Sequence, residues 1–513
     1  MPAESFGRSS LSRPSSLSRP SSLSRPRNLV AVLAALLLAG CTPTVQPTLS
    51  PSPTVTPRPF TLVTSDPVTT ADPVVAVGDT DSMLATSVYQ RLMHVLPGTG
   101  ELKPDLATDC LFTSRTVYEC TLPDELTFHN GDVLDSSDVK FSLQRALRMG
   151  TTNTSIGLLA ALKRIDTPDA RTVRFHLSWA DNQFGYALAG QAASVVDEQV
   201  YDPDAPLPLE TPPVGSGQFQ VTSIAAEEVS FTRFDTYVGP REAILTELRL
   251  QVVADSVAAE AAIAEGTADV VWRSLDSAAV QRVSDEIAAS PDKATATGFT
   301  RYSQPGVRVT QLVWDAASKL RKNNSLRLGL AKALQADRTL DSVVPVGVPD
   351  HASAFALGGR PKLPELNGKR IKLTLGYSGT APGHADLARL LRDRIEGLDG
   401  VSVRLVTTGG ADLWLTDRPA WVNNATGWLQ RYVAKPLAGS SAKLEELVQR
   451  SRTTTGSTRT VALTELQQQA AADNTVLPVS QGEGILMLGK GVTLVGDAFG
   501  SGQQLGLWGI NRA

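Results

Sequence analysis

Strand-like runs alternate with stretches of helical periodicity along the second half of this 513-residue chain. VRVTQLVW (307–314) precedes a predicted helix at 325–337, and RIKLTLGYS (370–378) precedes one at 383–397, which VSVRLVT (401–407) follows. Such alternation is typical of α/β folds, in which helices cover a sheet. A chain of this length is too long for one hydrophobic core. The sequence therefore predicts an α/β protein with two or more lobes.

The run FHNGDVLDSSDVKFSL (128–143) predicts a strand end, a tight turn and a helix start. Asn130-Gly131 supplies a turn with positive φ, because Gly has no Cβ and Asn tolerates the left-handed region. Asp135 or Ser136 can cap the helix, and Asp138 adds negative charge to its first turn. Helical spacing predicts one buried face made of Val139, Leu143, Ala146 and Leu147.

The letters of this run resemble the signature of the family 5 extracellular solute-binding proteins, the peptide- and nickel-type receptors of ABC importers. Other segments resemble family segments in the same order, namely 87–92, 100–107, 162–177, 212–221, 231–240, 265–272, 326–338 and 463–481. The chain departs from the family pattern at Ser216, Gln218-Phe219, Phe234 and Val238. These departures affect the prediction of the ligand more than the prediction of the fold.

The resemblance implies a two-lobed, type II periplasmic-binding-protein-like α/β fold with an extra domain inserted in lobe I. Lobe I is expected at 60–85, 212–300 and 476–513, the inserted domain at 86–211, and lobe II at 301–475. The implied function is a monomeric, extracytoplasmic receptor that captures an oligopeptide or similar organic solute between closing lobes and delivers it to an ABC permease. The alternative is an envelope lipoprotein that uses the same fold for signalling or scaffolding.

Residues 1–59 are predicted to be a signal peptide and a tether. LVAVLAALLLAG (29–40) is too short to span a bilayer but suits a signal-peptide core. It is followed by Cys41, and Leu38-Ala39-Gly40-Cys41 resembles a bacterial lipobox. The Pro, Thr and Ser residues that dominate 41–59 cannot pack a core and stay extended. We expect lipidation of Cys41 to anchor the protein to the bacterial cell membrane.

Cys110 and Cys120 flank LFTSRTVYE, whose polar centre Ser114-Arg115-Thr116 predicts a short hairpin turn. The two cysteines then lie opposite one another on paired strands, in a protein expected to face the oxidising exterior. The sequence predicts a disulfide, and two buried thiols are the alternative.

Motifs of catalysis and of metal or nucleic-acid binding are missing. The chain has no GxSxG, HExxH, Walker A or GxGxxG motif, which argues against an enzyme and against a cofactor. Its five His residues are scattered without Cys/His spacing, so no metal site is expected. A net charge of −4 without basic clusters argues against nucleic acid as a partner.

The segment ADLWLTDRPAWVNNATGW (411–428) contains three Trp residues and two Asp residues. It resembles a segment that lines the cleft of peptide-binding family members. The resemblance implies that Trp414 forms a wall of the site and that Asp417 pairs with a cationic group of the ligand. A shifted alignment would move that role to Asp412. Trp414 as a core residue and Asp417 as a turn cap remain the alternative.

Three further ligand-binding candidates follow strands predicted for lobe I. Trp272 comes directly after the strand-like Asp269-Val270-Val271, and Asp81 lies in the loop after the first strand. Tyr89 lies a little further along, and core packing is the alternative for this residue.

Overall fold

The computed structural model describes residues 58–151, 154–366, 370–417 and 419–512. The signal peptide, Cys41 and nearly all of the tether lie outside these residues, so those expectations stay predictions.

The strands are β1 Phe60–Thr64, β2 Met93–Val95, β3 Leu102–Pro104, β4 Asp109–Ser114, β5 Val117–Thr121, β6 Leu162–Asp169, β7 Thr172–Leu177, β8 Phe219–Ile224, β9 Glu228–Arg233, β10 Glu247–Val252, β11 Val270–Trp272, β12 Thr300–Trp314, β13 Ile371–Gly376, β14 Val401–Val406, β15 Leu413–Thr416, β16 Val476–Leu488, β17 Val492–Leu494 and β18 Ile510–Arg512. The helices are α1 Asp79–Val88, α2 Ser136–Met149, α3 Phe184–Ala187, α4 Ser256–Glu265, α5 Ser277–Ala289, α6 Asn324–Ala333, α7 His384–Ile395, α8 Ala425–Val433, α9 Ser441–Thr453 and α10 Gly456–Asp473. The predicted order of strands and helices between 307 and 407 is confirmed, although α6 ends before residue 337.

A ten-stranded sheet runs through both lobes in the order β14-β13-β15-β12-β16-β11-β1-β10-β9-β8. Each half of the sheet contains a parallel pair, β13 with β14 in one half and β1 with β10 in the other. The long strands β12 and β16 pair antiparallel in the middle, and their register shifts between Gln304 and Arg308. A bulge of this kind bends a strand. The two strands that join the lobes, β12 and β16, therefore bend where they pass from one lobe to the other.

Each lobe has its own hydrophobic core. The core of lobe II packs β12–β15 under α6–α10 and includes Leu312, Leu375, Leu391 and Leu463. The core of lobe I includes Leu62, Phe219, Leu250 and Trp508. Two separate cores allow the lobes to move as bodies about the crossing strands.

Residues 86–211 contain a separate four-stranded sheet in the order β4-β5-β7-β6. Its β4–β5 hairpin pairs Cys110 with Cys120, and the two sulfurs form the predicted disulfide, with Cα atoms 4.1 Å apart. This sheet packs over a hydrophobic core in which Cys120 and Phe175 are fully buried, and to which Trp421 and Val422 of the lobe II sequence also belong. The proposed domain boundaries at 86 and 211 stay a prediction.

The signature run 128–143 folds as a turn that enters α2. Gly131 has a φ of 90°, the left-handed conformation that the turn requires. Asp135 is the N-cap, and Asp138 completes a capping box by accepting from the Asp135 backbone N–H at 3.0 Å. The predicted buried helix face is wrong at Leu147, which is 45% exposed.

His129 of the signature run joins the 86–211 segment to lobe I. Its Nε2 lies 2.9 Å from the Gly217 carbonyl oxygen, and its Nδ1 accepts from the Gly215 backbone N–H at 3.3 Å. These contacts fix the tautomer with the proton on Nε2. The fully buried Arg145–Asp72 pair makes a second connection, between α2 and the loop before α1. The 86–211 segment is therefore attached to lobe I by polar contacts as well as by the chain.

Candidate functional site

A cleft of about 520 Å³ lies between the two lobes. Lobe I contributes the loop after β1 and the start of α1, and lobe II contributes the loop after β13, strand β15 and the start of α7. Two smaller cavities of about 60 and 30 Å³ adjoin it, and Asp79 lines all three. The large cleft is in the size range of sites for small organic ligands. It is the candidate binding site.

Trp414 lies in the wall of this cleft, on β15. It pairs with Gly376 of the neighbouring strand β13. A Cβ at Gly376 would lie 2.5 Å from Cε3 of the indole, so only glycine lets the ring lie flat on β13. Trp314, Tyr377 and Trp421 add to this aromatic lining. These flat surfaces can contact varied side chains of a ligand.

Asp417 also lines the cleft, and its carboxylate already has protein partners. Its Oδ2 accepts from Arg273 at 2.9 Å and from Arg308 Nε at 2.8 Å. Its Oδ1 lies 3.4 Å from Nε2 of the buried His384. Burial raises the pKa of Asp417, but the positive charges of Arg273 and Arg308 and the contact with His384 outweigh it and hold the pKa well below its usual range. The carboxylate is therefore ionised across the neutral pH range.

Arg273 connects the two sides of the cleft, since it follows β11 of lobe I and binds Asp417 of lobe II. The same guanidinium nitrogen also binds Asp79 of α1 at 2.9 Å. Arg273 has a φ of 51°, which side chains rarely adopt, so its ion pairs outweigh an unfavourable backbone conformation.

Asp412 lies just before β15, at the opposite end of this strand from Asp417, and has a different environment. Its carboxylate accepts from Ser318 Oγ at 2.6 Å and from the Thr374 backbone N–H at 2.9 Å. Both partners belong to lobe II, so these bonds fix β15 and the loop after β12 to β13. Of the two candidate acids, the structure brings Asp417 to the cleft.

The remaining candidates from lobe I lie in packed surroundings. Trp272 is buried and lines the 30 Å³ cavity beside Arg273. The Tyr89 hydroxyl contacts that of Tyr201 at 2.6 Å in the core, and burial raises its pKa well above the usual value. The expectation that Asp81 lies in a loop is wrong, since it belongs to the first turn of α1, where it is fully buried and accepts from the Thr69 backbone N–H at 2.8 Å. Tyr89 and Asp81 thus hold the loop after β1 in place.

Several charged residues in the cleft or beside it gave no signal in the sequence. Arg273, Arg308 and His384 come from three different elements, and only the fold brings them to Asp417. Arg431 and Lys435, on and after α8, line the lobe II side of the cleft, and Asp66 and Asp79 line the lobe I side. The cleft therefore presents opposite charges to a ligand at different places.

Within the described ranges, no group of three or more His, Cys, Asp or Glu side chains is arranged to hold a metal ion. No helix in the same ranges is long and apolar enough to cross a bilayer.

Comparison with protein families gives a match that covers residues 101–363. The model is that of the bacterial extracellular solute-binding proteins, family 5. It spans the signature run, the 86–211 sheet and the first part of lobe II.

Among curated proteins, the chain is 26% identical over 180 residues to the HTH-type transcriptional regulator SgrR of Salmonella choleraesuis (strain SC-B67), covering 35% of this chain and 31% of that protein. It is 22% identical over 284 residues to the probable ABC transporter periplasmic-binding protein SapA of Escherichia coli (strain K12), covering 51% and 50%. The chain thus spans from about a third to a half of the length of these relatives.

Solved structures share the fold over nearly the whole described chain. The dipeptide-binding protein of Pseudoalteromonas sp. SM9913, in complex with Met-Leu, has a TM-score of 0.72 at 16% identity, covering 88% of this chain and 100% of that one. AgaA of A. tumefaciens R10, in complex with agropinic acid, has a TM-score of 0.72 at 18% identity, covering 89% and 98%. NikA of Staphylococcus aureus, in complex with Ni(L-His)2, has a TM-score of 0.69 at 14% identity, covering 88% and 99%. Likeness at these identities extends to the two-lobed type II fold alone.

Proposed function

The chain belongs to the family 5 bacterial extracellular solute-binding proteins, and we propose that it is the receptor of an ABC importer that captures an oligopeptide or a similar organic solute. The observation that carries this proposal is a cleft of about 520 Å³ between two lobes, with Trp414 and Asp417 in one wall. Closure of the lobes around the solute would produce the form that the permease recognises.

The charges of the cleft support a zwitterionic solute such as a peptide. Asp417 would pair with a cationic group of the solute, taking the place that Arg273 occupies. Arg431 and Lys435 would face a carboxylate from the lobe II side. A charge-assisted hydrogen bond in a water-poor cleft is among the strongest polar contacts available to a ligand. The aromatic residues Trp414 and Trp421 would then contact the apolar parts.

The test is to compare Asp417→Asn with Asp412→Asn, because these acids flank opposite ends of the same short strand, β15, in different surroundings. Native mass spectrometry of gently purified protein identifies the bound solute, and calorimetry measures its affinity for each variant. Removing one partner of a buried charge pair costs about 2–5 kcal/mol, so Asp417→Asn should bind roughly 30- to several-thousand-fold more weakly. Asp412→Asn should bind nearly as the wild type does. Wild-type affinity in both variants would refute the site.

Anchoring to the outer face of the cell membrane through Cys41 is part of the proposal. Its support is the Leu38-Ala39-Gly40-Cys41 sequence after a twelve-residue apolar run. Cells fed an alkyne fatty acid should label the wild type and not Cys41→Ser, and equal labelling of the two would contradict lipidation at this residue.

An alternative is an envelope lipoprotein that uses the fold for signalling. It draws support from the 26% identity to the regulator SgrR over 180 residues. Permease and ATPase genes next to this one would favour the transport receptor instead.

A further inference from the structure

Arg452 extends from lobe II into the 86–211 segment, outside the cleft. It lies in the last turn of α9 and forms an ion pair with Asp181 through both Nε, at 3.1 Å, and a terminal nitrogen. The same terminal nitrogen donates to the Leu158 carbonyl oxygen at 2.5 Å. The guanidinium also lies 5.2 Å from the centre of the Trp179 ring. Asp181, Leu158 and Trp179 all belong to the 86–211 segment.

The contact excludes water almost completely. The Arg452 side chain is 3% exposed and that of Asp181 is 0% exposed. The backbone takes part too, since the Asn182 N–H donates to the Arg452 carbonyl oxygen at 2.8 Å. An incidental ion pair between two lobe surfaces would not be enclosed in this way, because long charged side chains on a surface keep their charged groups in water. The 86–211 segment therefore forms a pocket that encloses the Arg452 side chain.

This pocket crosses the boundary along which the lobes would separate. The 86–211 segment is fixed to lobe I by the fully buried Arg145–Asp72 pair and by the nearly buried Arg241–Asp105 pair. Arg452 belongs to lobe II, where Leu444 and Leu447 of its helix pack in the lobe II core. Opening of the cleft would pull Arg452 out of its pocket.

We propose that Arg452 holds the two lobes together independently of solute, so that the solute-free protein rests closed. The proposal depends on the proposed function only in assuming that the lobes can open. A solute could replace Arg273 at Asp417, because the Asp417 carboxylate lines the cleft, whereas none of the Arg452 partners named above does so. Breaking the Arg452 contact would leave Asp181 unpaired in the closed form and hydrated in the open form, which favours opening.

The experiment measures the distance between the 86–211 segment and lobe II by pulsed electron paramagnetic resonance. Spin labels are attached to Leu147→Cys on α2 and Val461→Cys on α10, which replace side chains that are 45% and 53% exposed. The full chain carries Cys41→Ser, and the disulfide protects Cys110 and Cys120 from labelling. Unfolding and refolding with the disulfide intact removes bound solute. The variants are Arg452→Gln, Arg452→Lys and the matched control Arg450→Gln, whose arginine pairs with Glu465 inside lobe II.

We expect one short, narrow distance with Arg452 intact and a longer, broader distribution for Arg452→Gln. Arg450→Gln should match the parent, and Arg452→Lys should lie between parent and Arg452→Gln. An unchanged distribution in Arg452→Gln, an equal shift in Arg450→Gln, or a parent protein that is already open would overturn the proposal. If Arg452→Gln does not fold, Asp181→Asn repeats the test from the other side, and failure of both to fold would assign the contact to fold stability instead. These measurements use no solute, so weak or absent effects of Asp417→Asn on binding do not alter them.

Discussion

Two arginine–aspartate pairs in this protein are equally buried but join different parts of it. Arg145 and Asp72 are both 0% exposed, and Arg452 and Asp181 are 3% and 0% exposed. Both arginines also donate to backbone carbonyl groups and lie near an aromatic ring. The first pair connects α2 to the loop before α1, within one body. The second connects lobe II to the 86–211 segment.

The difference teaches that burial alone does not tell what an ion pair stabilises. Taking two charges out of water is costly, and the pairing recovers that cost only while the partners stay together. Inside one body they separate only on unfolding, so the Arg145–Asp72 pair affects the free energy of unfolding. Between two bodies they separate whenever the cleft opens, so the Arg452–Asp181 pair affects the balance between closed and open forms.

The largest expected effect comes from breaking the pair inside one body. Arg145→Met leaves Asp72 buried without its charge partner, so the free energy of unfolding should fall by about 3–5 kcal/mol. Urea denaturation followed by circular dichroism measures this change. Arg148→Met is the matched control on the same helix, because its pair with Asp204 is exposed and should contribute less than about 1 kcal/mol.

Urea denaturation of Arg452→Gln tests the difference between the Arg145–Asp72 and Arg452–Asp181 pairs directly. If the Arg452 pair acts on lobe opening, its loss should lower the free energy of unfolding less than Arg145→Met does, since Asp181 regains water in the open form. Equal losses in the two variants would mean that both pairs belong to one body.

A smaller effect is expected from His129, which lies in the fixed body without a carboxylate partner. Its burial should lower the free energy of unfolding by roughly 3 kcal/mol as the pH falls from 6.5 to 4. Burial lowers the pKa of His129 to about 4, although the Gly217 carbonyl opposes the shift. An unfolded His has a pKa of about 6.5. As the pH falls from 6.5 to 4, the unfolded state takes up a proton that the folded state does not, so this histidine makes acid destabilising.

His129→Gln should remove that pH dependence. Gln keeps one donor and one acceptor but does not ionise in this range, so the variant's free energy of unfolding should change less between pH 6.5 and pH 4 than that of the wild type. Urea denaturation at stepped pH gives both slopes. Parallel slopes would show that His129 is accessible to protons in the folded state.

Local sequence determined the elements and several of their details. Gly131 enters its turn in the left-handed conformation and Asp135 caps α2, because φ preference and capping depend on a few neighbouring residues. The short span between Cys110 and Cys120 similarly predicted their hairpin and disulfide. The failure at Leu147 has a nonlocal cause, since helical spacing reports which residues share a face but not how far a neighbouring element covers it.

Tertiary structure alone decided the electrostatics of the cleft and of the lobe contact. The sequence singled out Trp414 and Asp417 through a resemblance, but it could not separate Asp417 from Asp412, which lies only a few residues away. Arg273 is 144 residues from Asp417, and Arg452 is 271 residues from Asp181. Charge interactions depend on distance in space and on the exclusion of water, and neither follows from sequence spacing. The elements were therefore readable from the chain, whereas the partners of its buried charges were set by how the two lobes pack.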